Sequence, residues 1–149
     1  MVEDSDSSVG QLKRADHLLY VTLKYTRTTE VIKNTIRRLI GVFDYASLEI
    51  LEVEKAKGKI KMIPYLPLER MELLSKVLSG IKEAEDYILL YHLLKHIDKS
   101  EYKAKEEYRK NVTLMTKDFD VDTPMLMLYF DKTKDFAKFA NAYVRENEK

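Results

Sequence analysis

The chain has no cysteine, no tryptophan, three prolines and four glycines in its 149 residues. Without cysteine, disulfides and thiolate metal sites are excluded. Four glycines cannot build a Gly-rich phosphate cradle, and no P-loop, G-x-G-x-x-G or G-x-S-x-G pattern occurs. Long apolar runs are missing as well. The longest candidates, Tyr87–Tyr91 and Met125–Phe130, stop at His92 and Asp131, far short of the roughly 18 residues that a membrane span needs. The first residues, VEDSDSSVG, are acidic and polar, so the sequence predicts no signal peptide, no membrane association and a cytoplasmic protein. Charge of one sign is not in excess either. Lys and Arg number 26 against 25 Asp and Glu, a net charge of +1, so any nucleic-acid role must rest on a local patch.

What is present is a helical pattern. Hydrophobic residues make up 45% of the chain, enough for one domain with a real core. Charged residues reach 34%, above the usual quarter or so. Lys and Glu dominate, the balance of heat-stable proteins that carry surface ion-pair networks. Residues 1–10 read as a disordered tail and 11–149 as a single helical-bundle domain.

Within the domain, Leu12, Ala15, Leu19 and Leu23 share a face of a first helix over 11–25. Thr26 to Thr29 break it, and Thr28 or Thr29 caps the next helix, with Glu30 in its first turn. That second helix, 30–57, carries Ile32, Ile36, Leu39, Phe43, Ala46 and Ile50 at steps of three and four. Gly41 inside it suggests close packing, and Gly58 ends it. Pro64 and Pro67 forbid a continuing helix, and Pro67 opens a short one over 68–78. Ser79-Gly80 predicts a break or kink before a third main helix, 81–97, apolar nearly all round from Tyr87 to Leu94. Residues 98–111 are helix-prone, 112–115 alternate as an extended segment does, and 118–122 form a loop. Thr123 as cap and Pro124 at the first helical position start a fourth main helix that runs to 146. Its inward face reads Met125, Leu128, Phe136, Phe139, Ala140 and Tyr143. The predicted class is all-α: an antiparallel up-and-down four-helix bundle with one extra short helical segment.

Residues able to carry chemistry are few. His92 and His96 share a helix face at the spacing of helical metal-ligand pairs, with Asp16, His17 or Asp44 as conceivable third ligands. The plain alternative is packing or hydrogen bonding beside Leu93, Leu94 and Ile97. Tyr20, Tyr25, Tyr45, Tyr87, Tyr91 and Tyr108 offer rings for base stacking or, more commonly, for the core and its rim. Basic residues cluster at Lys24, Arg27, Lys33, Arg37 and Arg38 around the first corner, and at Lys55, Lys57, Lys59 and Lys61. Either group can meet phosphates, or can form a solvated face balanced by Glu49, Glu52, Glu54 and Glu83. No cofactor is implied.

The stretch EYRKNVTLMTKDFDVDTPMLMLYF, Glu107–Phe130, sets Tyr108-Arg109-Lys110-Asn111 just before a loop and the last long helix. With the segment order from Leu12 to Val144, it resembles the HEPN superfamily, small helical bundles named for nucleotide binding in prokaryotes and higher eukaryotes. In that family's ribonucleases an Arg is followed four to six residues later by His. Arg109 occupies the Arg position, whereas Thr113, Leu114 and Met115 stand where the His would be, and none of these can serve as an imidazole base or acid. The resemblance therefore implies the bundle, a homodimer with a composite groove, and a nucleotidyltransferase as partner class, without RNA cleavage. Arg109, Lys110 and Asn111, with Lys24, Arg27, Lys33 and Arg37, are the expected contacts for a nucleotide or RNA. The competing expectations are a homodimeric interaction module without a small ligand and, as a minority reading, a His92/His96 metalloenzyme.

Overall fold

The longest apolar stripe in the sequence becomes the axis of the molecule. In the computed structural model, which describes residues 7–148, helix α2 spans Thr29–Ala56 and the other helices pack around it. Ile32, Ile36, Leu39, Phe43, Ala46 and Ile50 are all fully buried along it. Its start is fixed by Thr28, whose Oγ1 accepts from the Val31 N–H at 3.3 Å. Its end is fixed by Gly58, which takes φ +76° while its N–H bonds the Lys55 carbonyl.

Helix α1 covers 8–25 as Ser8–His17, a π-helical turn Leu18–Thr22, and Leu23–Tyr25. The π turn has a reason in the sequence. Ala15, Leu19 and Leu23 recur at strict intervals of four, which on a 3.6-residue helix drifts about 40° per step. The wider turn absorbs the drift and keeps all three buried. Of the expected tail, residues 1–6 lie outside the described residues, and 7–10 are not tail. Ser7 caps α1 by accepting from the Gly10 N–H at 3.0 Å. Ser8 is buried, and its Oγ donates to Glu49 at 2.8 Å.

Pro67 opens α3, Pro67–Val77, as expected, and Gly80 at φ +91° makes a true break before α4, Lys82–Lys99. The helix-prone stretch that follows is not helical. Strands β1 (Lys103–Lys105), β2 (Thr113–Met115) and β3 (Asp120–Val121) form an antiparallel sheet in that order. Ala104 pairs with Leu114, and Leu114 with Val121. The stretch has no apolar stripe to bury as a helix, whereas Leu114 and Val121 reach the core from the sheet and Val112 from just ahead of β2. The extended reading of 112–115 holds; of the helix-prone 98–111, residues 98 and 99 complete α4 and the rest is not helical, while 120–121, expected as loop, is strand β3.

Helix α5, Thr123–Asn147, begins one residue differently from expectation. Asp122 is the cap, its carboxylate accepting from the Met125 N–H at 2.9 Å, and Thr123 and Pro124 open the helix. The inward face in its first half also differs. Leu126, Tyr129, Phe130 and Thr133 are buried there, while Met125 and Leu128 are exposed. Farther along, Phe136 stacks on Phe43 at 4.7 Å between centroids and touches Tyr87 at 5.3 Å, tying α5 to α2 and α4. The molecule is thus predominantly helical, with α2 against α1, α3, α4 and α5, and a small sheet, between α4 and α5 in sequence, that packs on α2 and α5.

Candidate functional site

Two irregular segments meet at one end of α2. The backbone N–H of Tyr108 donates to the Arg27 carbonyl at 2.6 Å. Beside it, the Thr29 hydroxyl donates to Glu107 Oε1 at 2.8 Å, and the Thr29 N–H faces both carboxylate oxygens at 3.3 and 3.4 Å. Thr29 is the first residue of α2, so the Glu107 charge sits on the positive end of the helix dipole. To make these bonds the turn holds Glu106 at φ +57° and Tyr108 at φ +67°. Such left-handed residues cost of order 1 kcal/mol each without glycine, a strain offset by the capping and backbone bonds.

The consequence is geometric. Lys110 and Asn111 are drawn across from Lys24 and Arg27, and the four line one groove of about 440 Å³ between α1 and the start of α5. Leu19 and Leu23 lie beneath it, and Pro124 and Met127 form its far wall. Tyr20 also lines it, 43% exposed and edge-on to Phe130. Burial, then the nearby Asp131 and Asp16 carboxylates, push the Tyr20 phenol above its ordinary pKa, so acid flanks the Tyr20 end while base lines the other.

The remaining expected contacts lie elsewhere. Arg109 is exposed and points to Glu106 at 3.9 Å, outside the groove lining. Lys33 sits 5.0 Å over the Tyr102 ring, and Arg37 bonds Asp98 at 3.0 Å. Both therefore fasten α2 to the end of α4 and the chain beyond it. Thr113, Leu114 and Met115 lie on β2, with Leu114 buried. Among the tyrosines, Tyr91 is core and Tyr87 packs on Phe136, whereas Tyr25 and Tyr108 are largely exposed.

His92 and His96 do not meet a third ligand. His92 abuts the Tyr91 ring, and His96 Nε2 lies 3.2 Å from Asp118. Asp44 accepts from the Tyr91 hydroxyl instead. Among the described residues no group of three or more His, Asp or Glu is placed to hold a metal, and no helix is long and apolar enough to cross a membrane.

A second groove, about 530 Å³, runs between α4 and α5. Tyr87, Leu89, Leu90, Leu93, Leu128 and Tyr129 line it, with Glu83, Asp86 and Lys132 also contributing. Leu89 is 65% exposed there. The sequence reading missed Glu107, whose role depends on a partner 78 residues away. Its one local signal is the acid just ahead of the basic Arg109-Lys110 pair, and many surface glutamates share that. Comparison of the chain with protein families, with curated proteins and with solved structures gives no match.

Proposed function

We propose that the chain is a non-catalytic, HEPN-like helical domain that binds RNA or a nucleotide in the groove between α1 and α5. The observation that carries this reading is the convergence of Lys24, Arg27, Lys110 and Asn111, from segments more than 80 residues apart in sequence, on one concave surface. Nothing in the core requires those four residue types. Together they supply cationic donors and an amide for phosphate oxygens, with Tyr20 as a ring beside them. Catalysis is not part of the reading, because Thr113, Leu114 and Met115 offer no general acid or base.

The groove is tested by titrating a labelled RNA oligonucleotide at several salt concentrations. Lys24→Ala with Lys110→Ala is expected to weaken binding at least tenfold and to flatten the salt dependence. Arg109→Ala, whose side chain lies outside the groove, is expected to change affinity less than threefold. Wild-type protein that binds no RNA and no nucleotide sinks the reading.

The α4–α5 groove supports a companion reading, in which the chain acts as a homodimeric accessory or interaction module. Leu89 and Leu128 are exposed there, Leu93 is half-buried beside them, and charges of both signs accompany them. A two-fold pairing can then set acid against Lys132 on both sides of the axis. A nucleotidyltransferase is the partner class the HEPN resemblance suggests for such a dimer.

A further inference from the structure

Residues that, Arg37 excepted, are not among the expected contacts form another basic surface on the opposite flank of α1. Lys13, Arg14, His17 and Arg38 line one hollow of about 320 Å³, and Asn34, Arg37 and Arg38 line a second of about 430 Å³. The two share Leu18 and Arg38, so they are one trough between α1 and α2. Among the described residues, no Asp or Glu lines either hollow. The trough is also anchored: the Arg38 guanidinium bonds Oε1 of the buried Gln11 at 3.4 Å. In a molecule of net charge +1, such a run of bases is compensated elsewhere. Glu49, Glu52 and Glu148 gather at the far end of α2, and Glu83 and Asp86 lie on α4. Apart from the Asp16 and Asp131 carboxylates near Tyr20 and the Arg37–Asp98 pair, the charge is sorted by face, which favours a polyanion.

We infer that the ligand is a single-stranded polynucleotide rather than a mononucleotide, and that its phosphates run across α1 from the Lys24–Lys110 groove into the Arg14–Arg38 trough. This rests on the nucleotide-binding reading of the first groove. Along α1, Lys13 and Lys24 are separated by about 16 Å at 1.5 Å per residue, the span of roughly five stacked nucleotides at 3.4 Å each. The π turn Leu18–Thr22 lies between the two basic flanks, and Leu18 borders the trough while Leu19 and Tyr20 border the groove. A mononucleotide fills one hollow and leaves the other cations unused. A strand of several nucleotides uses both.

The experiment compares a labelled 12-nucleotide RNA with a 3-nucleotide one by fluorescence anisotropy across a salt series. Arg14→Ala with Arg38→Ala is expected to weaken the 12-mer at least tenfold and to reduce its log–log salt slope by about 1.4, at about 0.7 per lost single-strand phosphate contact. The 3-mer is expected to bind this variant as it binds wild type. Arg14→Ala alone, at an exposed position, should move the 12-mer in the same direction and so guards against a folding defect. A 12-mer affinity and slope unchanged in both variants, while Lys24→Ala with Lys110→Ala loses binding, overturns the trough and leaves the first groove standing. Equal affinity of wild type for both lengths also overturns it. Absence of binding at either length removes both readings together.

Discussion

At the scale of single residues, the most consequential pair away from the grooves is Tyr91 with Asp44. The Tyr91 hydroxyl donates to Asp44 Oδ1 at 2.9 Å from a fully buried ring, and Lys95 lies 5.9 Å from that ring's centroid. Burial raises the Asp44 pKa above the ordinary carboxylate value, while the Tyr91 hydrogen bond, Lys95 and Arg70 pull it back. Burial also raises the Tyr91 phenol far above its usual value, and the Asp44 charge and hydrogen bond raise it further. The sign of the pH effect follows. The folded state keeps a proton on Tyr91 that the unfolded state gives up near pH 10, so stability from this residue is full below about pH 10 and is lost as pH rises above it. Tyr91→Phe should therefore cost about 1 kcal/mol at neutral pH, where Asp44 loses its donor, yet lose less stability than wild type between about pH 10 and 11. Urea unfolding at the two pH values measures both. Tyr143, bonded to the buried Glu54 at 2.6 Å and likewise raised by burial, retains part of the alkaline loss in the variant.

At the scale of elements, Gly41 on α2 faces the Gln11 side chain of α1, which any side chain at position 41 must displace. A Cβ built there meets Gln11 Oε1 at 2.8 Å and its Cδ at 3.1 Å. Alanine would ordinarily gain roughly 1 kcal/mol of helix propensity, but Gln11 is buried and its amide holds Arg38. Gly41→Ala is therefore expected to be neutral or destabilising by about 1 kcal/mol in the native background. In a Gln11→Ala background it should stabilise by about the propensity difference. Thermal unfolding of the four proteins in this double-mutant cycle measures the coupling, and additive effects would refute the close contact. The same elements show what was legible beforehand. The stripe of α2, the caps at Thr28 and Gly58, the opening at Pro67 and the close-packing glycine were all readable, because each depends on neighbours within a turn or two. The first half of α5 was misread because Met125 and Leu128 fit a helical period as well as Leu126, Tyr129 and Phe130 do. Only the position of the sheet and of α1 decides which set is buried. The sheet itself was hidden because its pairing of Ala104 with Leu114 is non-local and its strands are two or three residues long. The basic groove was half-read: Lys24 and Arg27 stood out as a corner, but nothing local says that Glu107 brings Lys110 to them while Arg109 turns away.

For the whole molecule, the two kinds of surface lie on different helix pairs. The basic grooves flank α1, whereas the exposed leucines lie between α4 and α5. The proposed ligand binding and the proposed self-association are therefore separable, and a variant in one should spare the other. Leu89 is the position to change: it is 65% exposed in the single chain, so its replacement removes little from the monomer's own core. In the proposed dimer it is buried against the second copy, where an ammonium group without a partner is strongly disfavoured. A hydrophobic residue central to an interface contributes about 2 kcal/mol or more, or roughly thirtyfold in the dissociation constant. Leu89→Lys should accordingly move the protein from dimer to monomer in sedimentation velocity at micromolar concentration. Its unfolding midpoint should match that of wild type when both are measured at concentrations low enough that mass action no longer stabilises the dimer. RNA affinity per chain should be unchanged, because the basic grooves on α1 are untouched. A wild-type chain that sediments as a monomer at high micromolar concentration would remove the dimer and leave the α1 site as it stands.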